Sequence, residues 1–293
     1  MAIKILVTSE KGGSGKTTVS TELSACFTQL GLKVLLIDLD SQCSSTGITG
    51  CNRDENGVYE FFENKIKTKD DILNFIQKGN EYDVMASSPS IDILSDKYKP
   101  AHKIWTLRNR LELLEDEYDI ILIDTHPGRN TMVHLSIVAC DYVIIPIDNS
   151  IDACNGAINT IKDIQSFVDA KMSNIKFLAV VNSKIDLREK QTVIEVRNRM
   201  LSLKKLISKL TDSDIIISEI RTCSKLNQTE KTEEGLNILN EFEHSFNEEL
   251  ESIEDIKEIQ SSRPSLQKKY KNLNAAVDYR EFATQILDYI IKE

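Results

Sequence analysis

Short runs of Ile, Leu and Val recur along the chain, and they restrict its fold more than any other feature. The runs are IKILVT (3–8), KVLLID (33–38), YDIILID (118–124), YVIIPI (142–147), IKFLAVV (175–181) and DIIIS (214–218), and YDVMASS (82–88) is a further candidate strand. Their apolar residues are nearly continuous, as in strands that are buried on both faces of a parallel sheet.

Segments with helical periodicity lie between these runs. Apolar residues recur every three or four positions in two of them: Ile104, Leu107, Leu111 and Leu114 in the first, and Val193, Val196, Met200, Leu203, Ile207 and Leu210 in the second. Both segments are predicted to be amphipathic helices. The alternation predicts an α/β fold with a doubly wound, mostly parallel sheet flanked by helices, in which ligands bind at the carboxyl ends of the strands.

A glycine-rich stretch, SEKGGSGKTT (9–18), joins the first run to a segment of helical periodicity. Its three glycines allow the backbone to curl so that N–H groups point at phosphate oxygens, and the following helix adds its positive N-terminal dipole. Lys16 is predicted to bridge the β- and γ-phosphates of a nucleotide, and the Thr17 hydroxyl to ligate Mg²⁺. The standard phosphate loop would have glycine at position 10, where this chain has Glu10.

The string K-G-G-x-G-K-[ST]-[ST] resembles the deviant Walker A motif of the ParA/MinD group of P-loop ATPases, and Lys11 matches that group's signature lysine. The resemblance implies a homodimer in which two subunits face each other around two nucleotides, each Lys11 reaching the phosphates held by the other subunit. A cation supplied in this way neutralises charge at the transferred phosphoryl group, as an arginine finger does. The residues expected to hold ATP are Lys11, Gly12, Gly13, Ser14, Gly15, Lys16, Thr17 and Thr18.

Two aspartates that follow apolar runs extend the resemblance. VLLIDLDSQ (34–42) resembles the group's D-x-D-P-Q segment, with Ser41 in place of proline, and Asp40 matches the residue associated there with positioning the attacking water and supporting the magnesium shell. IILIDTHPG (120–128) resembles the Walker B strand, in which Asp124 is expected to hold Mg²⁺ through a water. The predicted catalytic residues are therefore Lys11, Lys16 and Asp40, and the predicted metal site is Thr17, Asp40 and Asp124.

The base of the nucleotide has a candidate contact in AVVNSKID (179–186), where Asn182 matches an asparagine that related ATPases set against the adenine edge. The guanine-reading pattern N-K-x-D is absent because Ser183 occupies its lysine position, which favours ATP over GTP. His126 replaces the first proline of the Walker B ending. It is predicted to be a structural loop residue rather than a general acid or a metal ligand, since the four histidines show no ligand spacing.

Within the group, the absence of glycine before Lys11 favours the ParA-type DNA partition ATPases. That branch implies a slow ATPase that binds DNA non-specifically as an ATP-bound dimer and releases it when a ParB-like centromere-binding protein stimulates hydrolysis. The candidate DNA contacts are Arg263, Lys268, Lys269 and Lys271. Three alternatives stay open: a MinD-like membrane-associated ATPase, an iron–sulfur relative that would use cysteines such as Cys140 and Cys154, and an ATP-binding regulator with little turnover. The closing segment 279–293 has nearly balanced charge, which favours a core-packed helix over a membrane anchor.

The net charge of −10 is unevenly distributed. Residues 241–262 hold eight acids and one base, whereas residues 263–293 hold six bases and four acids. The acidic segment is either a solvated helix face or a docking surface for a basic partner. We predict a single domain, 1–293, with an acidic helical insertion at about 233–262 and a closing helix at about 275–291. Six scattered cysteines are expected to be free thiols, and the start of the chain does not resemble a signal peptide, so we expect a cytoplasmic, nucleoid-associated protein.

Overall fold

A computed structural model describes residues 1–99, 101–211, 214–223, 263, 265–269 and 271–292. These residues form an eight-stranded sheet. The strands are β1 (Ile3–Val7), β2 (Val34–Leu39), β3 (Gln77–Lys78), β4 (Asp83–Met85), β5 (Ile120–Thr125), β6 (Tyr142–Ile147), β7 (Lys176–Ile185) and β8 (Ile216–Arg221). Their order across the sheet is β3-β4-β2-β5-β1-β6-β7-β8, and every neighbouring pair is parallel except β3 and β4. The predicted doubly wound, mostly parallel α/β fold is confirmed.

Helices connect the strands in the described part of the chain. They are α1 (Lys16–Gln29), α2 (Ser44–Ile48), α3 (Val58–Glu63), α4 (Lys69–Leu73), α5 (Ile91–Lys97), α6 (Thr106–Leu111), α7 (Thr131–Ala139), α8 (Ile151–Asp169), α9 (Lys190–Thr211), α10 (Leu266–Lys269) and α11 (Asn274–Lys292). Turns of 3₁₀-helix lie at Ala101–Lys103 and Glu112–Leu114. The predicted helix around 104–114 is therefore α6 followed by a tighter turn, and the strand predicted at 214–218 begins two residues later and runs on to Arg221.

Two apolar layers cover the sheet, one on each face. Successive residues of a strand alternate between them: in β1, Ile5 and Val7 belong to one layer and Leu6 to the other. Helices α1 and α11 close the first layer, in which α11 buries Tyr279 and Phe282. Helices α3 and α5–α9 contribute to the second. Because both faces are covered, the strands are apolar throughout, which is why the sequence shows continuous runs rather than alternation.

The parallel strands end together at one edge of the sheet, and this edge carries the polar residues of interest. β1 lies between β5 and β6, so the loop that follows β1 is flanked by the ends of strands from both halves of the sheet. This is the position at which open α/β sheets bind ligands. The predicted acidic insertion at about 233–262 lies outside the described residues. Among the helices that the structure describes, none combines the length and the apolar character needed to cross a bilayer.

Candidate nucleotide-binding site

The loop between β1 and α1 has the backbone of a phosphate cradle. Gly13 and Gly15 adopt left-handed conformations, with φ of 75° and 90°, which side chains rarely tolerate. At Gly15 a second constraint applies, because a Cβ there would lie 2.1 Å from Ser183 Oγ. Glycine at 15 is thus required by both backbone conformation and space, and the conformation of the loop is fixed at this point.

The start of α1 is open to an anion. Gly15 is its N-cap and supplies no side-chain hydrogen bond, and the first turn contains no acidic residue. The N–H groups of such a helix end lack intrahelical acceptors and carry the positive end of the helix dipole. The hydroxyl oxygens of Ser9 and Ser14 are also buried, with no hydrogen-bond partner in the described part of the chain. These unsatisfied groups fit the oxygens of bound phosphates.

Lys16 lies between this loop and a group of carboxylates. Its side chain is buried, and its Nζ donates a hydrogen bond to the Lys11 carbonyl over 3.3 Å. Burial lowers the pKa of Lys16, an effect that the nearby charges of Asp124 and Asp40 oppose. The ammonium group is therefore placed where phosphates and a metal would meet.

Two fully buried aspartates, Asp38 and Asp124, lie directly opposite each other on β2 and β5. Burial raises the pKa of Asp38 to about 7, and the charge of Asp124 contributes to that rise. Burial likewise raises the pKa of Asp124 to about 6, although hydrogen bonds from Ser45 and Thr17 oppose it. Asp38 accepts hydrogen bonds from the Thr46 N–H and hydroxyl over 2.9 and 2.8 Å.

Asp124 is partly unsatisfied, and this fits a bound cation. Ser45 Oγ donates to its Oδ2 over 2.5 Å, whereas its Oδ1 is buried without a partner in the described residues. In those residues no three His, Cys, Asp or Glu side chains converge on a metal position. Mg²⁺, however, commonly takes one or two carboxylates and completes its shell with water and phosphate oxygens. Thr17, Asp124 and Asp40 are suited to that arrangement.

Lys11 occupies a different environment from Lys16. Its Nζ lies 2.8 Å from Asp148 Oδ2 and 2.6 Å from Ser150 Oγ, both in the segment between β6 and α8. Burial alone would raise the pKa of Asp148, but hydrogen bonds from Lys11 and Ser150 hold it below its ordinary value. The Lys11 side chain is 30% exposed, so this pair is accessible from the edge of the sheet.

The end of β7 contacts the same loop. Ser183 Oγ donates to the Ser14 carbonyl, and Lys184 Nζ to the Gly13 carbonyl, each over 2.9 Å. Asn182 is fully buried beside them, and its Nδ2 donates to Asn149 Oδ1 over 2.8 Å. The structure therefore brings Asn182 to the edge that holds the phosphate loop.

The predicted DNA contacts separate into two groups. Arg263 is only 4% exposed, and its Nη1 donates to Glu22 Oε1 over 2.7 Å. It cannot offer its guanidinium to a DNA phosphate in this conformation, and we remove it from the proposed DNA surface. By contrast, Lys268, Lys269 and Lys271 are exposed. This burial is not evident from the sequence, because Glu22 lies far away along the chain.

Other predictions concern histidine and cysteine. His126 Nδ1 lies 2.7 Å from the Pro127 carbonyl, a local contact of the kind expected for a structural loop residue. All six cysteines are free; Cys140 is buried and Cys154 half-buried.

Several polar residues of the site were missed by the sequence analysis, among them Ser45, Thr46, Asp148 and Ser183. Asp148 and Ser183 stand at or near the ends of apolar runs, and that position could have indicated them. Ser45 and Thr46 follow the D-x-D segment closely, but nothing local shows which aspartate each of them contacts.

Comparisons with known proteins agree with this geometry. Residues 2–177 match the model of a family described as an AAA domain. The chain is 27% identical over 176 residues to the sporulation initiation inhibitor protein Soj of Bacillus subtilis, covering 57% of this chain and 68% of Soj. It is 25% identical over 198 residues to the chromosome-partitioning ATPase Soj of Thermus thermophilus, covering 66% and 75%. The structure of an ATP complex of a Cyanothece McdA variant is similar in fold, with a TM-score of 0.72 and 17% identity over 98% of this chain and 96% of McdA.

Proposed function

Because the chain belongs to the AAA domain family and to its ParA/MinD type of P-loop ATPase, we propose that it hydrolyses ATP in DNA partition, dimerising around the nucleotide and holding DNA non-specifically in that state. One observation carries the proposal. A glycine loop, a buried lysine and two carboxylates that could hold a metal meet at one edge of the sheet. These are the phosphate-binding and metal-binding groups that phosphoryl transfer needs. The Thermus thermophilus relative, named as a chromosome-partitioning ATPase, supports it, and McdA in its ATP complex shares the fold.

The residues at the carboxyl edge of the sheet would bind different parts of the nucleotide and its metal. The loop N–H groups and Lys16 would bind the β- and γ-phosphates, and Asn182 would lie toward the base. Thr17 and Asp124, with Asp40 near them, would hold Mg²⁺, which neutralises phosphate charge when bound. Asp40 is nearly buried, and its Oδ1 accepts the Gln42 N–H over 2.9 Å. Held in this way, Asp40 would orient a water molecule toward the γ-phosphate.

Dimerisation gives Lys11 its proposed role. In the single chain its Nζ is engaged by Asp148 and Ser150. To reach a phosphate held by a second subunit, Lys11 would exchange these contacts for new ones across the interface. Hydrolysis would then depend on assembly, because a cation needed for charge stabilisation comes from the other chain.

DNA binding is proposed for exposed basic surfaces. Lys268, Lys269 and Lys271 form one, and the exposed basic residues of α9 form another: Lys190, Arg197, Lys205 and Lys209. Phosphate contacts need no sequence motif, and they weaken steeply as salt rises. The negative net charge of the whole chain does not oppose such local binding.

The test measures binding to an unrelated DNA duplex by fluorescence anisotropy with ATP, ADP or no nucleotide, at increasing salt. Light scattering follows dimer formation in the same samples. We expect the wild-type protein to bind DNA only with ATP and to weaken as salt rises. Lys11→Ala should neither dimerise nor bind, whereas Asp40→Ala should dimerise and stay bound because hydrolysis is blocked.

Lys65→Ala is the matched control, since Lys65 is an exposed lysine away from the loop. If the wild-type protein with ATP does not bind DNA at low salt but binds anionic vesicles, the partition proposal is replaced by that of a membrane-associated ATPase. A ParB-like partner would be recognised by its acceleration of ATP turnover.

A further inference from the structure

We infer that Ser183, assisted by Lys184, is a positioning residue that holds the phosphate loop in its binding conformation. The inference rests on the proposed nucleotide site and adds to it two residues at the end of β7. They brace the loop from outside, through carbonyl groups that point away from the phosphates.

The contacts are direct and come from the carboxyl end of β7. Ser183 is 3% exposed, and its hydroxyl reaches the Ser14 carbonyl over 2.9 Å. Lys184 Nζ reaches the preceding carbonyl, that of Gly13, over the same distance. β7 is paired with β6 up to Asn182 and with β8 at Asn182 and Ile185, so paired residues flank the two donors.

Because the peptide bond is planar, a contact that holds a carbonyl group in place also orients the N–H group of the next residue. In a trans peptide the carbonyl of one residue and the N–H of the next point in opposite directions. Fixing the Gly13 carbonyl outward therefore directs the Ser14 N–H inward, and fixing the Ser14 carbonyl does the same for the Gly15 N–H. Neither N–H has an acceptor among the described residues. Two donors are thus aimed at the phosphate position before any ligand arrives.

Space around Gly15 supports the same assignment. Ser183 Oγ occupies the place that a Cβ at position 15 would take. Serine combines a short side chain with a hydroxyl, so it can contact the loop closely and still donate a hydrogen bond. Because Asn182 precedes it, a single strand end would hold the base contact and the brace for the phosphates.

The experiment measures the affinity of purified full-length variants for ADP, pyrophosphate and adenosine by competition and NMR titration. For Ser183→Ala we expect the affinities for ADP and pyrophosphate to fall about two- to tenfold, the usual effect of one hydrogen bond. The affinity for adenosine should not change. Lys184→Met should weaken ADP binding less, since Lys184 is exposed, and Lys184→Arg should restore it. Lys65→Met serves as the control for loss of a surface lysine.

Hydrogen exchange gives an independent measurement. In Ser183→Ala the amides of Ser14 and Gly15 should lose their protection by bound ADP, while those of β7 keep theirs. The brace is rejected if Ser183→Ala leaves ADP affinity unchanged, or if it weakens adenosine as much as ADP, which would indicate general disruption. If the wild-type protein binds neither ADP nor pyrophosphate, the proposed nucleotide site itself is rejected, and with it the positioning role of Ser183.

Discussion

The chain buries charge in two places, and the two are built on opposite principles. At the carboxyl edge of the sheet, Asp38 and Asp124 place like charges side by side, and their pKa values are raised to about 7 and about 6. Beneath α1, Glu22 and Arg263 place opposite charges together at 2.7 Å. Each region is almost inaccessible to solvent, so the difference lies in how each charge is compensated.

The compensation shows what each region is for. Both carboxylate oxygens of Glu22 accept hydrogen bonds, one from Arg263 and one from the Leu266 N–H, although Nη2 of Arg263 is buried without a partner in the described residues. At the carboxyl edge, one oxygen of Asp124 is buried without a partner in the described residues. A buried polar group without a partner costs stability. At the carboxyl edge the unpaired oxygen lies beside a second carboxylate and near the phosphate loop, where a metal or a nucleotide would supply the missing contact. The first region thus stabilises the fold, whereas the second keeps free the groups that a nucleotide and its metal would use.

The largest effect is expected from breaking the Glu22–Arg263 pair. Arg263→Met leaves the Glu22 carboxylate buried without its cation, and we expect the free energy of unfolding to fall by about 3–5 kcal/mol. Urea unfolding measures this loss. The double variant Glu22→Leu/Arg263→Met should recover most of it, because no charge then remains buried. A loss of ATPase activity per folded molecule in Arg263→Met would contradict the purely structural role.

Lys16→Met should lose much of its activity but little of its stability, the reverse of what we expect for Arg263→Met. Removing a cation that stabilises charge on the transferred phosphoryl group should lower the rate of ATP hydrolysis by about 10²–10³-fold. Burial already lowers the pKa of Lys16, so the folded chain gains little from holding its charge. Its unfolding free energy should therefore fall far less than that of Arg263→Met. Parallel urea titrations and phosphate-release assays check both, and equal destabilisation of the two variants would remove the contrast.

The pH dependence of the ligand-free protein also separates the two regions. Since the folded-state pKa values of Asp38 and Asp124 are raised, their contribution to stability is full below about pH 4 and is lost as pH rises to about 6 for Asp124 and about 7 for Asp38. For each proton involved, the slope approaches about 1.4 kcal/mol per pH unit. Asp124→Asn removes one titrating group and lowers the pKa of the other, so its stability should vary less between pH 4 and 7. Identical slopes for the two proteins in thermal unfolding would refute the assignment.

The two regions also differ in how far sequence alone could reveal them. The strands, the phosphate loop and the positions of Asp40, Asp124 and Asn182 were predictable because each depends on a local pattern of apolar runs and their endings. The contacts that give these residues their properties join distant positions, such as Ser45 with Asp124 or Ser14 with Ser183. Arg263 was misjudged for the same reason. Among neighbouring lysines it looks like part of a basic surface, and only the packing of the chain beneath α1 shows its partner.

The strand order has a consequence for the length of the ligand. Five successive neighbours in the sheet, β2, β5, β1, β6 and β7, carry the site at or just beyond their carboxyl ends. In that order they hold Asp40, Asp124, the phosphate loop, Asp148 and Asn182. From the strand of Asp40 to that of Asn182 there are four strand spacings, or roughly 19 Å. The spacing of the strands therefore fixes the length over which a nucleotide would lie. Its reacting phosphate would lie over β2 and β5, and its base toward β7. Substitutions can alter which chemical group each position contacts, but the distances between the positions are set by the spacing of the strands.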